Sequence, residues 1–369
     1  MIYLDSAATS FQKPETVGRA METALREMSS PGRAQTLLDC RTELAELFHV
    51  PEPEQVVFTM NATHGLNLAI KSLVPYGGRA VISGYEHNAV TRPLAALGAD
   101  IRVAAAPLFE PDMTAAAFDK AITPDVDAVI CTHVSNVFGA VQPIEQVAAL
   151  CRERGVPLIV DASQSAGVLP LDMTALGAAF IAMPGHKGLY GPQGTGVLLC
   201  CGRAETAPLI EGGTGSVSIQ QEMPDFLPDR LEAGTHNVPG IAGLLAGVRF
   251  VRERGLEQIC LHERKLALRA SEGLRSIPGV SVCARRDLFA QTGVLSFVPE
   301  GQDAELVGNA LAEAGVAVRA GMHCAPLAHR TAGTLDSGTV RLSFSAFNTP
   351  EEVDRFLAVL PEALRGRTA

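Results

Sequence analysis

The stretch MPGHKGLYGPQGTGVLL, residues 183–199, places one lysine, Lys187, directly after His186 and inside a glycine-rich turn. The apolar run at 178–183 reads as a strand, and the run at 197–200 reads as another. The lysine therefore lies between two short strands, in tight backbone that glycine permits. A lysine exposed in a hairpin needs none of this. A lysine that must form an imine needs to be held, partly desolvated and kept from full protonation. The glycines do not read as a nucleotide loop. GPQGTG precedes a strand, whereas a dinucleotide fingerprint follows a strand and opens a helix. What raises Lys187 above an ordinary surface lysine is the stretch LIVDASQSAG, whose Asp161 lies 26 positions earlier.

The chain has 369 residues, 47% of them hydrophobic and 19% charged, which is ample for a large core and predicts two domains. A net charge of −10 without a basic block argues against nucleic acid and against an anionic membrane surface. Tryptophan is absent and aromatics are few, which leaves no stacking surface for single strands. No apolar run reaches the roughly 18–20 residues of a membrane span. MIYLDSAATS carries an acid early and lacks a secretory pattern, so a cytoplasmic location is expected. The eight cysteines are scattered, with no Cys-x-x-Cys pair, so neither a metal site nor a disulfide framework is expected.

Apolar periodicity predicts helices over 14–28, 36–48, 90–97, 115–122 and 144–154, with 29–35 as a loop. A further helix starts near Asn61 or Thr63. Strands are predicted at 2–4, 56–59, 80–83, 101–104, 128–133 and 157–161. Strands alternating with helices imply an α/β fold with a mostly parallel sheet covered on both faces. Long helical patterns follow at 241–254 and 256–277. The texture then changes to α+β, with strands at 280–284, 292–297, 316–319 and 340–344 and helices at 303–314 and 350–364. The expected division is a large domain over 14–250 and a small one over 251–369, with 1–13 packing on the latter.

Ligands on parallel sheets bind at the carboxyl ends of the strands. The polar residues there are Thr63, His87, Asn136, Asp161 and Lys187. A flat, cationic, phosphorylated aldehyde would use all of them. The lysine holds it as an imine, and Asp161 under the ring nitrogen keeps that nitrogen protonated. His87 can stack on the ring, and Gln164 and Asn136 can hydrogen-bond the phenolic oxygen. The turn around Ala62 and Thr63, at a helix N-terminus, can take the phosphate.

The stretches Asp161-Ala-Ser-Gln164, Gly185-His186-Lys187-Gly188, Glu86-His87-Asn88 and His133-Val-Ser-Asn136 resemble the signatures of the class V aminotransferase family. These are fold-type-I pyridoxal 5'-phosphate enzymes, and the chain is most similar to their cysteine desulfurase branch. The resemblance runs from YLDSAAT at Tyr3 to RLSFSAFNTPEEVD at Arg341. It implies a seven-stranded, mostly parallel sheet sandwiched by helices, with a smaller α+β domain. It also implies that Lys187 carries the cofactor, Asp161 pairs its pyridinium, and His87 stacks on it as a further catalytic residue. Ala62, Thr63 and His186 would hold the phosphate. Pro184 or Gly185 stands where the family has a phosphate-binding serine. Thr214, in a glycine-rich loop, matches a donor supplied by the partner subunit, which implies a homodimer with its site at the interface.

VAVRAGMHCAPLAH, residues 316–329, is a second chemical centre. Cys324 follows His323 in a predicted loop between strands, where a thiol beside an imidazole and Arg319 is reactive. The stretch resembles the RxGxHC loop of group II cysteine desulfurases, whose cysteine accepts the substrate's sulfur. Only 22 positions separate Arg319 from Arg341, which fits the short loop of that group. Arg341 matches the arginine that pairs the substrate α-carboxylate, a task suited to its forked geometry. Asn136, Arg319 and Ala7 complete the expected substrate contacts. Pro31-Gly-Arg33-Ala-Gln35 departs from the Arg-Gly-x-His-like stretch of group II and lacks its histidine.

The resemblance implies conversion of L-cysteine to L-alanine, with sulfur passing to Cys324 as a persulfide. From there it would go to an acceptor such as an iron–sulfur scaffold or shuttle protein. Selenocysteine lyase and a β-eliminating carbon–sulfur lyase use the same scaffold and stay open at this point. A catalytically silent relative would have no need of both Lys187 and Cys324.

Overall fold

The computed structural model describes residues 1–27, 29–285 and 290–365. Strand β1 (Ile2–Tyr3) is followed by helices α1 (Glu15–Glu27) and α2 (Ser30–Phe48). The alternation then runs β2 (Val56–Thr59), α3 (Ala62–Leu73), β3 (Arg79–Ser83), α4 (Asn88–Ala96), β4 (Asp100–Ala104), α5 (Pro111–Ala121), β5 (Ala128–Thr132), α6 (Ile144–Arg154) and β6 (Leu158–Asp161). A short helix, α7 (Met173–Leu176), precedes β7 (Phe180–Pro184) and β8 (Gly196–Cys200). Two long helices, α8 (Val238–Arg254) and α9 (Leu256–Arg275), lead into the rest. That part comprises β9 (Val280–Cys283), β10 (Val294–Pro299), α10 (Ala304–Glu313), β11 (Val316–Ala317), β12 (Arg319–Gly321), α11 (Pro326–Ala332), β13 (Thr339–Ser343) and α12 (Pro350–Arg365).

The main sheet has seven strands in the order β2-β8-β7-β6-β5-β3-β4. Only β8 runs against its neighbours, so the sheet is mostly parallel, as the sequence implies. Strands β2 and β5 to β8 are buried at every residue, which is why they read as continuous apolar runs without alternation. Leu66, Leu68 and Leu94 of α3 and α4 pack on one face. Leu44, Phe118, Val147 and Leu244 of α2, α5, α6 and α8 pack on the other. Each such side chain contributes roughly 1.5–3 kcal/mol by leaving water.

A second sheet, antiparallel in the order β12-β13-β10-β9, carries α9, α10 and α12 over a core of Leu266, Phe297, Leu342 and Phe356. The N-terminal strand belongs with this part of the fold. Ile2 pairs in parallel with Val316, and Leu4 is buried in the same core.

Three local expectations are corrected. Residues 29–35 are not a loop but the first turns of α2. Ser29 caps that helix by accepting from Gly32 N at 3.4 Å, and proline is tolerated in the first turn, where its missing N–H has no acceptor. The strand expected at 316–319 is two strands: β11 pairs with β1, and β12 crosses to β13. Cys324 lies between a strand and the helix α11, not between two strands. Met28, predicted as a helix end, lies outside the described residues, as do 286–289 and 366–369 of the expected small domain.

Candidate active site

Five of the parallel strands deliver the polar residues of the site at their carboxyl ends. Strand β2 leads to Asn61, which caps α3 by accepting from His64 N at 2.9 Å. The first amides of that helix, those of Ala62 and Thr63, have no acceptor within it and lie at a cleft. Strand β3 leads to His87, the cap of α4, whose Nδ1 accepts from Ala89 N at 3.0 Å. Strand β5 leads to Thr132 and Asn136, β6 ends at Asp161, and β7 leads through Pro184 to His186 and Lys187. The cleft is thus lined by Ala62, Thr63, His87, Asn136, Asp161 and Gln164, with His186 and Lys187 closing it. The structure brings these eight expected residues together. Asn61, Ser163, Pro184 and Thr132 also line it, and sequence reasoning did not single them out as ligands. Asn61, Ser163 and Pro184 each sit within two residues of one that was, and Thr132 lies four residues before Asn136.

Gly185 fits its place because it lacks a side chain: a Cβ there would lie 2.2 Å from Thr195 Oγ1. Gly196, opposite, would press a Cβ to 2.7 Å from the backbone of Asn61. The two glycines let the lysine-bearing turn close against β8 and seat the capped end of α3 beside it.

Burial lowers Lys187 to about 8, opposed by the nearby Asp161 carboxylate. The neutral amine is therefore far more populated near neutral pH than that of a solvated lysine, although the ammonium still predominates below 8. Burial also lowers His186 to about 4, with the Lys187 and Lys13 charges adding to the effect. His186 Nδ1 lies 3.0 Å from Thr9 Oγ1, and its carbonyl accepts from Ser10 N at 3.0 Å. His87 is likewise held below its ordinary value, mainly by burial. Asp161, buried, accepts from Ser163 N at 2.9 Å. Behind the floor, burial pushes Glu86 up to about 8 although its Oε1 accepts from Ser83 Oγ at 2.5 Å and Thr132 N at 2.7 Å.

Cys324 is exposed in a tight turn and adopts a left-handed backbone conformation, as does His323, with φ values of 55° and 51°. Backbone bonds tie this turn to both walls of the cleft. Cys324 O accepts from Asn88 N, and His323 O accepts from Asn136 Nδ2, both at 2.8 Å. The expectation of a thiol served by the adjacent imidazole is corrected. His323 is buried, its Nε2 lies 3.3 Å from Arg319 O, and its Nδ1 lies 3.4 Å from His329 Nε2. Burial and the Arg341 charge lower it to about 2, so it stays neutral.

The remaining expected residues do not line the cleft. Arg341 is buried and already engaged: Nη2 meets Asp5 Oδ1 at 2.5 Å and Nη1 donates to Asn136 O at 2.9 Å, while its Nε has no partner. Arg319 is its direct neighbour across the β12–β13 ladder and is exposed. Gln164 Nε2 donates to Ala7 O at 3.0 Å. Thr214 does not line this chain's cleft; its hydroxyl lies 3.1 Å from Ser216 Oγ. Among the described residues no group of three or more His, Cys, Asp or Glu is placed to hold a metal, and no helix is long and apolar enough to cross a membrane.

The sequence profile described as Aminotransferase class-V matches residues 2–356. A probable cysteine desulfurase of Xylella fastidiosa is 36% identical over 385 residues, covering 98% of this chain and 90% of that protein. A probable cysteine desulfurase of Mycolicibacterium paratuberculosis is 34% identical over 99% of this chain, which spans only 56% of that longer protein. Among solved structures, an apo cysteine desulfurase from Thermococcus onnurineus superposes with a TM-score of 0.89 at 31% identity, covering 99% of this chain and 95% of that one. The cysteine desulfurase CsdA of Escherichia coli, in its S-sulfonic acid form, gives 0.88 at 28% identity, covering 99% and 94%.

Proposed function

The chain belongs to the class-V aminotransferase family, and we propose that within it this protein is a pyridoxal-phosphate-dependent cysteine desulfurase. It converts L-cysteine to L-alanine and takes the sulfur onto Cys324 as a persulfide. The observation that carries this reading is one cleft holding Lys187, Asp161 and His87, with the Cys324 turn bonded to both its walls.

The residues fit the cofactor. The free amides at the start of α3 suit a phosphate, Asp161 suits a protonated ring nitrogen, and the buried Asn136 Oδ1 has no partner of its own. Lys187 would hold the group covalently, Ala62, Thr63 and His186 its phosphate, and His87 and Gln164 its ring. When bound, the cofactor supplies an electron sink that acidifies the substrate Cα–H bond.

The chain's own groups do the rest. Lys187 Nζ, as a neutral amine, takes the Cα proton of the substrate. The His87 ring, with Nδ1 accepting from Ala89 N, carries its proton on Nε2 and is a donor at the cleft. Arg341 takes the α-carboxylate by sharing or exchanging its bond with Asp5. The Cys324 thiolate attacks the substrate sulfur: the S–S bond forms, the Cβ–S bond breaks, and a proton returned to Cβ completes alanine. The persulfide then passes to an acceptor thiol or protein. We further propose a cytoplasmic homodimer whose second copy completes the phosphate site, with Thr214 as the donor from its glycine-rich loop.

Product analysis with cysteine and selenocysteine tests the reading. Alanine with persulfide on Cys324 supports it. Pyruvate and ammonia would replace it with a β-eliminating lyase. Turnover of selenocysteine alone would replace it with a selenocysteine lyase.

A further inference from the structure

The buried imidazole of the Cys324 turn belongs to a chain of hydrogen bonds. His323 Nε2 lies 3.3 Å from Arg319 O, its Nδ1 lies 3.4 Å from His329 Nε2, and His329 Nδ1 lies 2.8 Å from Thr334 Oγ1. The two rings are stacked, with centroids 5.6 Å apart and planes at 13°. Phe138 also packs against His329, with centroids 5.8 Å apart, and His329 and Thr334 are both buried. Burial and the Arg341 charge hold His323 neutral, so only one placement of hydrogens satisfies every link. Arg319 O can only accept, which puts the His323 hydrogen on Nε2. Its Nδ1 is then a lone pair that accepts from His329 Nε2. His329 Nδ1 is a lone pair in turn and accepts from the Thr334 hydroxyl.

This chain grips the one part of the turn that nothing else holds. His323 and Cys324 both have left-handed backbone, which residues with side chains enter only at a cost, so contacts must hold them there. Asn136 Nδ2 and Asn88 N take the two carbonyls, and Ala325 N closes the turn on Met322 O at 2.9 Å. The His323 side chain is held by His329 instead. That residue sits on α11, which Thr331 Oγ1 ties to Gly84 O at 2.7 Å, ahead of His87. Thr334 is fixed to the same helix, since its N donates to His329 O at 2.9 Å. We propose that His329 and Thr334 are positioning residues for Cys324: by pinning the His323 ring inward they keep the turn left-handed and its thiol presented to the cleft. The inference rests on the role given to Cys324 above. Without the His329 donor, His323 Nδ1 is a buried acceptor with no partner. The ring recovers a hydrogen bond by turning out to water, and that movement releases the turn. The loss falls on the sulfur step and spares the steps at Lys187.

Variants of the full-length holoenzyme and spectra of the cofactor-free protein test this. His329→Phe keeps a stacked ring and removes its nitrogens. It should bind pyridoxal phosphate and exchange the substrate Cα proton like the wild type. Alanine release and persulfide on Cys324 should fall by roughly tenfold, the effect of one stranded buried acceptor. His329→Gln, whose amide can donate to His323 Nδ1, should recover most of the release. Thr334→Val should lose release in the same direction but by less, and Thr334→Ser should restore it. In the Cys324→Ala background, His329→Phe should add nothing to the loss. Nitrogen-15 spectra of the cofactor-free wild type should show His323 and His329 as neutral rings, both with hydrogen on Nε2. Unchanged release in His329→Phe, or exchange and release falling together, overturns the positioning role. So does either ring carrying its hydrogen on Nδ1. If His329→Phe does not fold, the Thr334 pair decides, and equal release in Thr334→Val and Thr334→Ser overturns the proposal. All these outcomes leave the proposed function standing. No alanine from the wild type overturns that function, and this inference with it.

Discussion

Cys324 O accepts a hydrogen bond from Asn88 N at 2.8 Å, so the turn bearing the exposed thiol is fastened to the residue that follows His87. Asn136 Nδ2 fastens the same turn from the other wall through His323 O. The backbone of the turn is positioned by Asn136, which lines the cleft, and by Asn88, which stands between two residues that do, while its thiol is left unengaged. Cys324→Ala should therefore leave the cleft intact. It should bind pyridoxal phosphate with wild-type absorbance and lose alanine release by roughly 100-fold or more, because a nucleophile is removed outright. Mass spectrometry should find no persulfide on the variant. Near wild-type turnover would remove Cys324 as the sulfur acceptor.

Activity should rise with pH as the Lys187 amine is set free. Its value is lowered to about 8, so the reactive neutral form is gained as pH rises through 8 and is lost about tenfold per unit below it. A single-turnover pH profile of Cα-proton exchange on the substrate measures this. Lys187→Arg, which keeps the charge and cannot lose its proton, should abolish the exchange at every pH.

The Asp5–Arg341 pair predicts a coupled loss of stability and gain of anion affinity. Arg341 is buried and pairs with Asp5 at 2.5 Å. Asp5→Ala leaves the guanidinium without its counter-charge and should cost about 2–3 kcal/mol, less than a fully buried pair because Asp5 keeps some contact with water. Urea unfolding measures the loss. A carboxylate substrate analogue should recover part of it and bind more tightly than to the wild type, since it no longer competes with Asp5.

Gly196→Ala should act on the cofactor site from the neighbouring strand. Its Cβ would lie 2.7 Å from the Asn61 backbone, so the cap of α3 must shift. The free amides of Ala62 and Thr63 move with it. Affinity for pyridoxal phosphate should fall by roughly tenfold or more, with a stability loss of about 1–3 kcal/mol as for overpacking elsewhere. Titration of the cofactor-free protein measures the first and thermal unfolding the second.

Much of this site is legible in the sequence because parallel sheets put their ligands at strand ends, and the apolar runs that make the strands announce where they stop. Asp161, Lys187 and His87 are found that way. The role of Asp5 is not. It lies 336 positions from Arg341, and a buried arginine's counter-charge cannot be located until the sheet register brings the two ends of the chain together. His323 misleads for the opposite reason: adjacency to Cys324 suggests a base, but the left-handed turn sends the imidazole into the protein. Glu263 reads as one more acid on an amphipathic helix. Only the fold shows that it is buried, in room left by Gly293, where a Cβ would lie 2.5 Å from Glu263 Cβ.

Strand β1 has a consequence for how the protein is made. Ile2 is synthesised more than 300 residues ahead of its partner Val316. The lysine-bearing turn waits too, because Ser10 and Thr9 grip the His186 carbonyl from the segment that β1 anchors. Contacts so distant in sequence close late in folding. A nascent chain halted before residue 316 would already contain all seven strands of the main sheet and Lys187. It would lack both the partner strand for its own N-terminus and Cys324, so the floor of the cleft is synthesised well before the turn that carries the exposed thiol.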